Sequence, residues 1–170
     1  MADGAEPAGP RDAMETRRRA APATGRQHTL ADDLRSRGRL SVRTGCEQGV
    51  CGSCTVLLND ETVRSCLVLA AQADGARVAA VEDLAGDPLL EHLRRTFWST
   101  RAFQCGFCAS GHLIESYSLL RDDPAPTEDQ VRRRLAGNLC RCTGYDSIVH
   151  AVLRAAGTWP ATAREEARHE

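Results

Sequence analysis

Eight cysteines, gathered into two spaced groups, constrain this 170-residue chain more than any other feature. The first group is Cys46-x4-Cys51-x2-Cys54, with Cys66 following after eleven residues. The second is Cys105-x2-Cys108 and, after a gap of 31 residues, Cys140-x1-Cys142. An even set of this size can be disulfides, zinc sites or iron–sulfur sites. Disulfides need an oxidising compartment, and the N-terminus has no secretory signal pattern. Arg17-Arg18-Arg19 is followed by Ala20-Ala21-Pro22-Ala23-Thr24-Gly25, not by the sustained apolar run that a twin-arginine export signal needs. The expected location is the cytoplasm, with thiols reduced unless a metal holds them.

The spacings then separate the metals. A zinc ribbon pairs two C-x2-C knuckles, and neither group does so. The x4-x2 triplet is the plant-type [2Fe–2S] spacing. A two-iron rhomb asks for two thiolates per iron and for N–H donors near its sulfides. A loop around it must therefore stay close and turn sharply. Gly45, Gly49 and Gly52 interleave with Cys46, Cys51 and Cys54 and suit that demand. The spacing of the second group alone leaves zinc open, but two complete sets of four support each other, with no Cys left over.

Charge and composition exclude other classes. The 22 basic and 23 acidic side chains leave a formal charge of −1, against the basic excess a nucleic-acid or membrane-surface binder needs. All the basic residues are Arg. Aromatics make up 4%, so the core must be built from Leu, Val and Ala, and no apolar run reaches a membrane span.

Along the chain, residues 1–28 hold no Val, Ile, Leu, Phe, Tyr, Trp or Cys and are expected to be a disordered tail. A short helix capped by Thr29 carries Leu30 and Leu34 on one face. Thr55–Leu58 and Thr62–Ser65 read as a hairpin turning at Asn59-Asp60, which returns Cys66 to the cysteine loop. Val78–Val81 reads as a further short strand. From Asp87 the period becomes helical: Leu89, Leu90, Leu93 and Phe97 mark one helix, and Leu113, Ile114, Tyr117 and Leu120 a second. Thr127-x-x-Gln130 opens a third as a capping box, and Ile148, Val149, Val152 and Leu153 mark a fourth. The expected units are residues 29–86 and 87–157, each with one four-cysteine site, and a flexible tail over 158–170.

Several residues invite sharper readings that the pattern does not carry. Arg132-Arg133-Arg134 reads as the solvated face of a short helix. His112 is the one histidine near a cysteine motif, but four thiolates already fill that site. Trp98 and Trp159 are expected to be packing residues. No Ser/His/Asp constellation or phosphate-binding loop occurs, so no catalytic residue is expected on this chain.

The words around the cysteines resemble a known family. Gly45-Cys46-Glu47-Gln48-Gly49-Val50-Cys51-Gly52-Ser53-Cys54 is similar to the first-cluster loop of the small iron–sulfur subunit of molybdenum hydroxylases. That family includes xanthine dehydrogenases, aldehyde oxidoreductases and aerobic carbon monoxide dehydrogenases. Gln104-Cys105-Gly106-Phe107-Cys108 and Gly137-Asn138-Leu139-Cys140-Arg141-Cys142-Thr143-Gly144-Tyr145 resemble its second-cluster signatures. The resemblance implies an α+β chain: an N-terminal plant-ferredoxin-like (β-grasp) domain, then a four-helix [2Fe–2S] domain. It implies two [2Fe–2S] clusters, with Cys46, Cys51, Cys54 and Cys66 on one and Cys105, Cys108, Cys140 and Cys142 on the other. Gln104 and Cys142 would also contact a molybdenum–pterin cofactor on a large partner subunit.

The resemblance further implies a medium partner subunit carrying FAD, in a dimer of heterotrimers. Single electrons would pass from molybdenum through both clusters to the flavin. A free-standing two-cluster ferredoxin or redox sensor is the alternative. The chain departs from the family in two places. Members open with a β-hairpin, whereas residues 1–29 lack strand-forming residues, so the first domain is expected without it or completed by partners. Ala109-Ser110-Gly111-His112 stands where the family has a Thr-Pro-Gly-Met-like stretch.

Overall fold

In the computed structural model of this chain, residues 27–158 are described. The tail expected over residues 1–28 falls outside them up to residue 26, as do Trp159 and the segment that follows it. Helix α1 (Leu30–Ser36) is closed at its start by a full capping box: Thr29 accepts from the Asp32 N–H, and Asp32 accepts from the Thr29 N–H. Leu30, Ala31 and Leu34 form its buried face.

The cysteine loop leads into β1 (Thr55–Leu58), which turns at Asn59 and Asp60 into β2 (Glu61–Arg64). The turn residues have φ of 50° and 71°, the left-handed pair that a two-residue hairpin demands. β3 (Val78–Ala79) pairs with the other edge of β1, giving an antiparallel sheet of order β2-β1-β3. The expectation that the first domain lacks the family's opening hairpin falls on residues up to 26, outside the described ones.

β1 carries the alternation that joins the two halves. Val56 faces α1, Val42 and Cys66, whereas Leu57 faces the helices. The sheet is thus sandwiched between two cores, and its central strand is buried on both sides.

Four helices follow: α2 (Pro88–Ser99), α3 (Ala109–Asp122), α4 (Glu128–Leu135) and α5 (Asp146–Thr158). Asp87 caps α2 through the N–H groups of Leu89 and Leu90, with Pro88 at the first helical position. Leu90, Leu93, Ile114, Val131, Ile148 and Val152 are fully enclosed. Burying each is worth about 1.5–3 kcal/mol. α2 packs on α5 and α3, and α3 also lies across β1.

Two expectations need correction. Trp98 is not a packing residue within this chain, being 87% exposed. The core face of α2 is set by Leu90, Leu93 and Phe97, and Trp98, one residue further on, is rotated by about 100° away from it. The run Arg132-Arg133-Arg134 is not wholly solvated either. Arg134 reaches inward to Glu115 and Ser118, at 3.1 and 2.6 Å.

Candidate iron–sulfur sites

Three residues of the first cysteine loop, Glu47, Gly49 and Gly52, take positive φ, which curls the backbone so that its N–H groups point inward. The N–H groups of Cys51 and Gln48 donate to the Cys46 sulfur at 3.3 and 3.4 Å. These donors favour the thiolate and bring the Cys46 pKa down to about 7. The Cys51 thiol is hydrogen-bonded to the same sulfur. Cys54 and Cys66 form the buried side of the site. Burial, reinforced by the adjacent Cys54 thiol, pushes Cys66 up to about 11.

Cys66 arrives by the predicted route. The hairpin ends in a short 3-10 turn, Ser65–Leu67. Ser65 holds that turn on the Cys54 carbonyl through its hydroxyl, at 2.7 Å.

The second site is built from two loops. Cys105 and Cys108 lead into α3, with Cys108 at its N-cap position. Cys140 and Cys142 lie between α4 and α5. The sulfurs of Cys105 and Cys142 are 3.6 Å apart at the surface. The Phe107 N–H lowers the Cys105 pKa, and the hydrogen bond shared with Cys105 raises that of Cys142. Burial and the neighbouring Cys140 push Cys108 up to about 12. Burial also pushes Cys140 upward, but hydrogen bonds outweigh it and the net shift is downward. They come from the Thr143 hydroxyl, at 3.1 Å, and from the Cys142 and Thr143 N–H groups.

All eight thiols are free, and each quartet resolves into two pairs: Cys46 with Cys51, Cys54 with Cys66, Cys105 with Cys142, Cys108 with Cys140. Paired thiols with inward N–H groups fit a two-iron rhomb, in which each iron takes two thiolates.

The two loops touch through a seam that sequence reasoning missed. Arg64, two residues before Cys66, donates to Thr55 at 2.6 Å, Glu115 at 2.9 Å, the Gly137 carbonyl at 2.8 Å and Asn138 Oδ1 at 3.0 Å. The amide of Asn138, 1% exposed, donates to the Gly52 carbonyl at 3.2 Å. A Cβ on Gly52 would lie 2.6 Å from the Gly137 carbonyl oxygen, and one on Gly111 2.3 Å from the Gly52 oxygen. Both glycines are therefore required by close approach of the two domains.

Gln104 is exposed beside Cys105, and its side-chain amide donates to the Cys142 carbonyl at 3.2 Å. It stands at the edge of an apolar groove of about 620 Å³ that Phe97, Trp98, Phe103 and Leu113 help to line.

This arrangement defines a two-domain [2Fe–2S] protein. Residues 15–85 match the 2Fe-2S iron-sulfur cluster binding domain family, and residues 80–153 the [2Fe-2S] binding domain family. The chain is 50% identical to the nicotine 6-hydroxylase small subunit of Paenarthrobacter nicotinovorans, over 82% of this chain and 85% of that one. It is 44% identical to the xanthine dehydrogenase iron-sulfur-binding subunit of Escherichia coli O157:H7, over 73% and 79%. Among solved structures, quinoline 2-oxidoreductase from Pseudomonas putida 86 superposes with a TM-score of 0.75 at 44% identity, covering 86% of this chain and 87% of that one. The chain belongs to the small iron–sulfur subunits of the molybdenum hydroxylase family.

Proposed function

We propose that this chain is the electron-transfer subunit of a molybdenum hydroxylase. In this reading Cys46, Cys51, Cys54 and Cys66 hold one [2Fe–2S] cluster, and Cys105, Cys108, Cys140 and Cys142 hold the other. A large partner subunit carries the molybdenum–pterin cofactor, a medium one carries FAD, and the assembly is a dimer of heterotrimers. Bound clusters supply one-electron couples, which a two-electron oxidation at one centre needs in order to reach a distant acceptor.

The observation that carries the reading is the contrast between the two sides of the sites. Cys105, Cys142 and Gln104 lie together at the surface, where a partner's cofactor can approach, while Cys54, Cys66 and Cys108 are buried. The chain's own residues position thiolates, supply N–H donors and shield the inner sulfurs from water. The relatives' names span nicotine, xanthine and quinoline, and in this reading the large subunit chooses the substrate.

Purification from the native host tests this. The expected result is a stable complex containing molybdenum and FAD. This chain should contribute about four iron and four acid-labile sulfides, and the dithionite-reduced protein two distinct S = 1/2 EPR signals. Stoichiometric zinc without those signals would end the cluster reading. A lone soluble chain with both clusters, but no molybdenum or FAD, would favour the free-standing ferredoxin instead.

A further inference from the structure

His112 is fully enclosed, at 0% exposure, and neither ring nitrogen has a hydrogen-bond partner. A buried imidazole must leave at least one N–H without an acceptor in that state, which proteins rarely tolerate. The surroundings place the ring beside the second cysteine site. His112 lies one helical turn after Cys108, and its N–H closes that turn on the Cys108 carbonyl at 3.1 Å. Residues four apart share a helix face, so the ring and the Cys108 sulfur leave α3 on the same side.

Residues flanking both cysteine loops enclose the ring. Phe103, two residues before Cys105, sits with its ring centroid 6.1 Å from that of His112. Tyr145 meets His112 edge-on at 6.3 Å, and its hydroxyl accepts from the Cys140 N–H at 3.0 Å. The imidazole therefore stands among residues contributed by both cysteine loops of the second site. Burial, with the positive charge of Arg64 adding to it, holds the ring neutral by lowering its pKa to about 4. A neutral ring has one N–H to give.

We propose that His112 donates this N–H to a sulfur of the second cluster and holds that cluster at a higher reduction potential than the scaffold alone would. The proposal rests on the cluster assignment above. A donor aimed at cluster sulfur stabilises the reduced, more negative state, which makes the second cluster easier to reduce than it would be without the donor. His112 is a positioning and tuning residue, since the four thiolates already complete the iron coordination.

The test uses the purified holo-complex, potentiometric EPR titration and three forms: wild type, His112→Leu and His112→Gln. In His112→Leu both signals persist, and one midpoint falls by a tenfold change in its reduction equilibrium, about 59 mV for a one-electron couple. The other midpoint stays put. His112→Gln keeps an N–H donor and recovers most of the shift. In wild-type protein labelled with ¹⁵N-histidine, pulsed EPR of the shifted signal shows a nitrogen coupling that His112→Leu lacks. Unchanged midpoints in His112→Leu, together with no histidine coupling in the labelled wild type, would overturn the proposal and leave the ring as packing. If His112→Leu does not assemble the second cluster, the labelled wild type decides alone. Absence of both cluster signals in wild type would instead sink the cluster assignment.

Discussion

The backbone N–H of Leu139 donates to the carbonyl of Cys51 at 2.9 Å, so the residue before Cys140 is hydrogen-bonded to a cysteine of the other domain. The two cysteine loops thereby touch main chain to main chain. Asn138 is the second rung of this contact, giving to Gly52 and taking from Arg64. Asn138→Ala should take one donor from the Gly52 carbonyl, which keeps the Thr55 N–H and hydroxyl, and leave one Arg64 N–H without its acceptor, at a cost of about 1–3 kcal/mol. Denaturant titration of the variant measures it, and a loss below about 0.5 kcal/mol would contradict the role given to this side chain.

The glycines at the seam predict a graded series. Gly38 has φ of +84° but open space where a methyl group would stand, so Gly38→Ala should cost only the left-handed penalty, roughly 1–2 kcal/mol. Gly52→Ala, with φ of +71°, adds a collision with main-chain oxygen. It should cost about 1–3 kcal/mol more, and lower the occupancy of the first cluster. Equal losses for both variants in thermal melts would rule out the close-approach explanation.

Thiol chemistry of the metal-free chain should follow the sulfur environments. Cys46, near 7, gains thiolate as pH rises through neutrality. Its alkylation by iodoacetamide should therefore climb between about pH 6 and 8 and then level off. Cys66, near 11, and Cys108, near 12, remain protonated and buried over that range and should react last. Peptide mapping after timed alkylation gives the order. Cys108 modified ahead of Cys46 would contradict it.

Gln104 should matter to the complex and not to the clusters. Gln104→Ala removes the hydrogen bond to the Cys142 carbonyl and an exposed amide beside Cys105. Both EPR signals should persist, whereas cluster reduction by substrate slows or molybdenum retention falls, consistent with about 1–3 kcal/mol for one contact. Reduction rate and molybdenum content equal to wild type would remove Gln104 from the partner interface.

Much of this architecture can be read from spacing. The hairpin that returns Cys66, the Thr29 and Thr127 caps and the four helices each rest on local signals, of period or of capping chemistry, that act within a few residues. The seam is not legible in the same way, because Arg64 meets Gly137 and Asn138 more than seventy residues away and a lone Arg on a strand carries no mark of its target. Gly52 illustrates the difference. Its sequence context suggests a turn, and it does take positive φ, but the carbonyl of Gly137 also leaves no room for a side chain. Trp98 defeats sequence reading for a related reason: burial within one chain cannot be inferred for a ring that points away from its own core.

The meeting of Gly52 and Gly111 also bears on how such chains can be recombined. The halves look separable, since each has its own core and its own cysteines. Yet a helical half grafted from a relative would have to bring a residue without Cβ at 111, and asparagine at 138, to meet the arginine at 64. A crossover placed in the linker around residue 86 would split those partners between parents. The modules are therefore exchangeable only as a matched pair, and the seam sets the unit that can be shuffled.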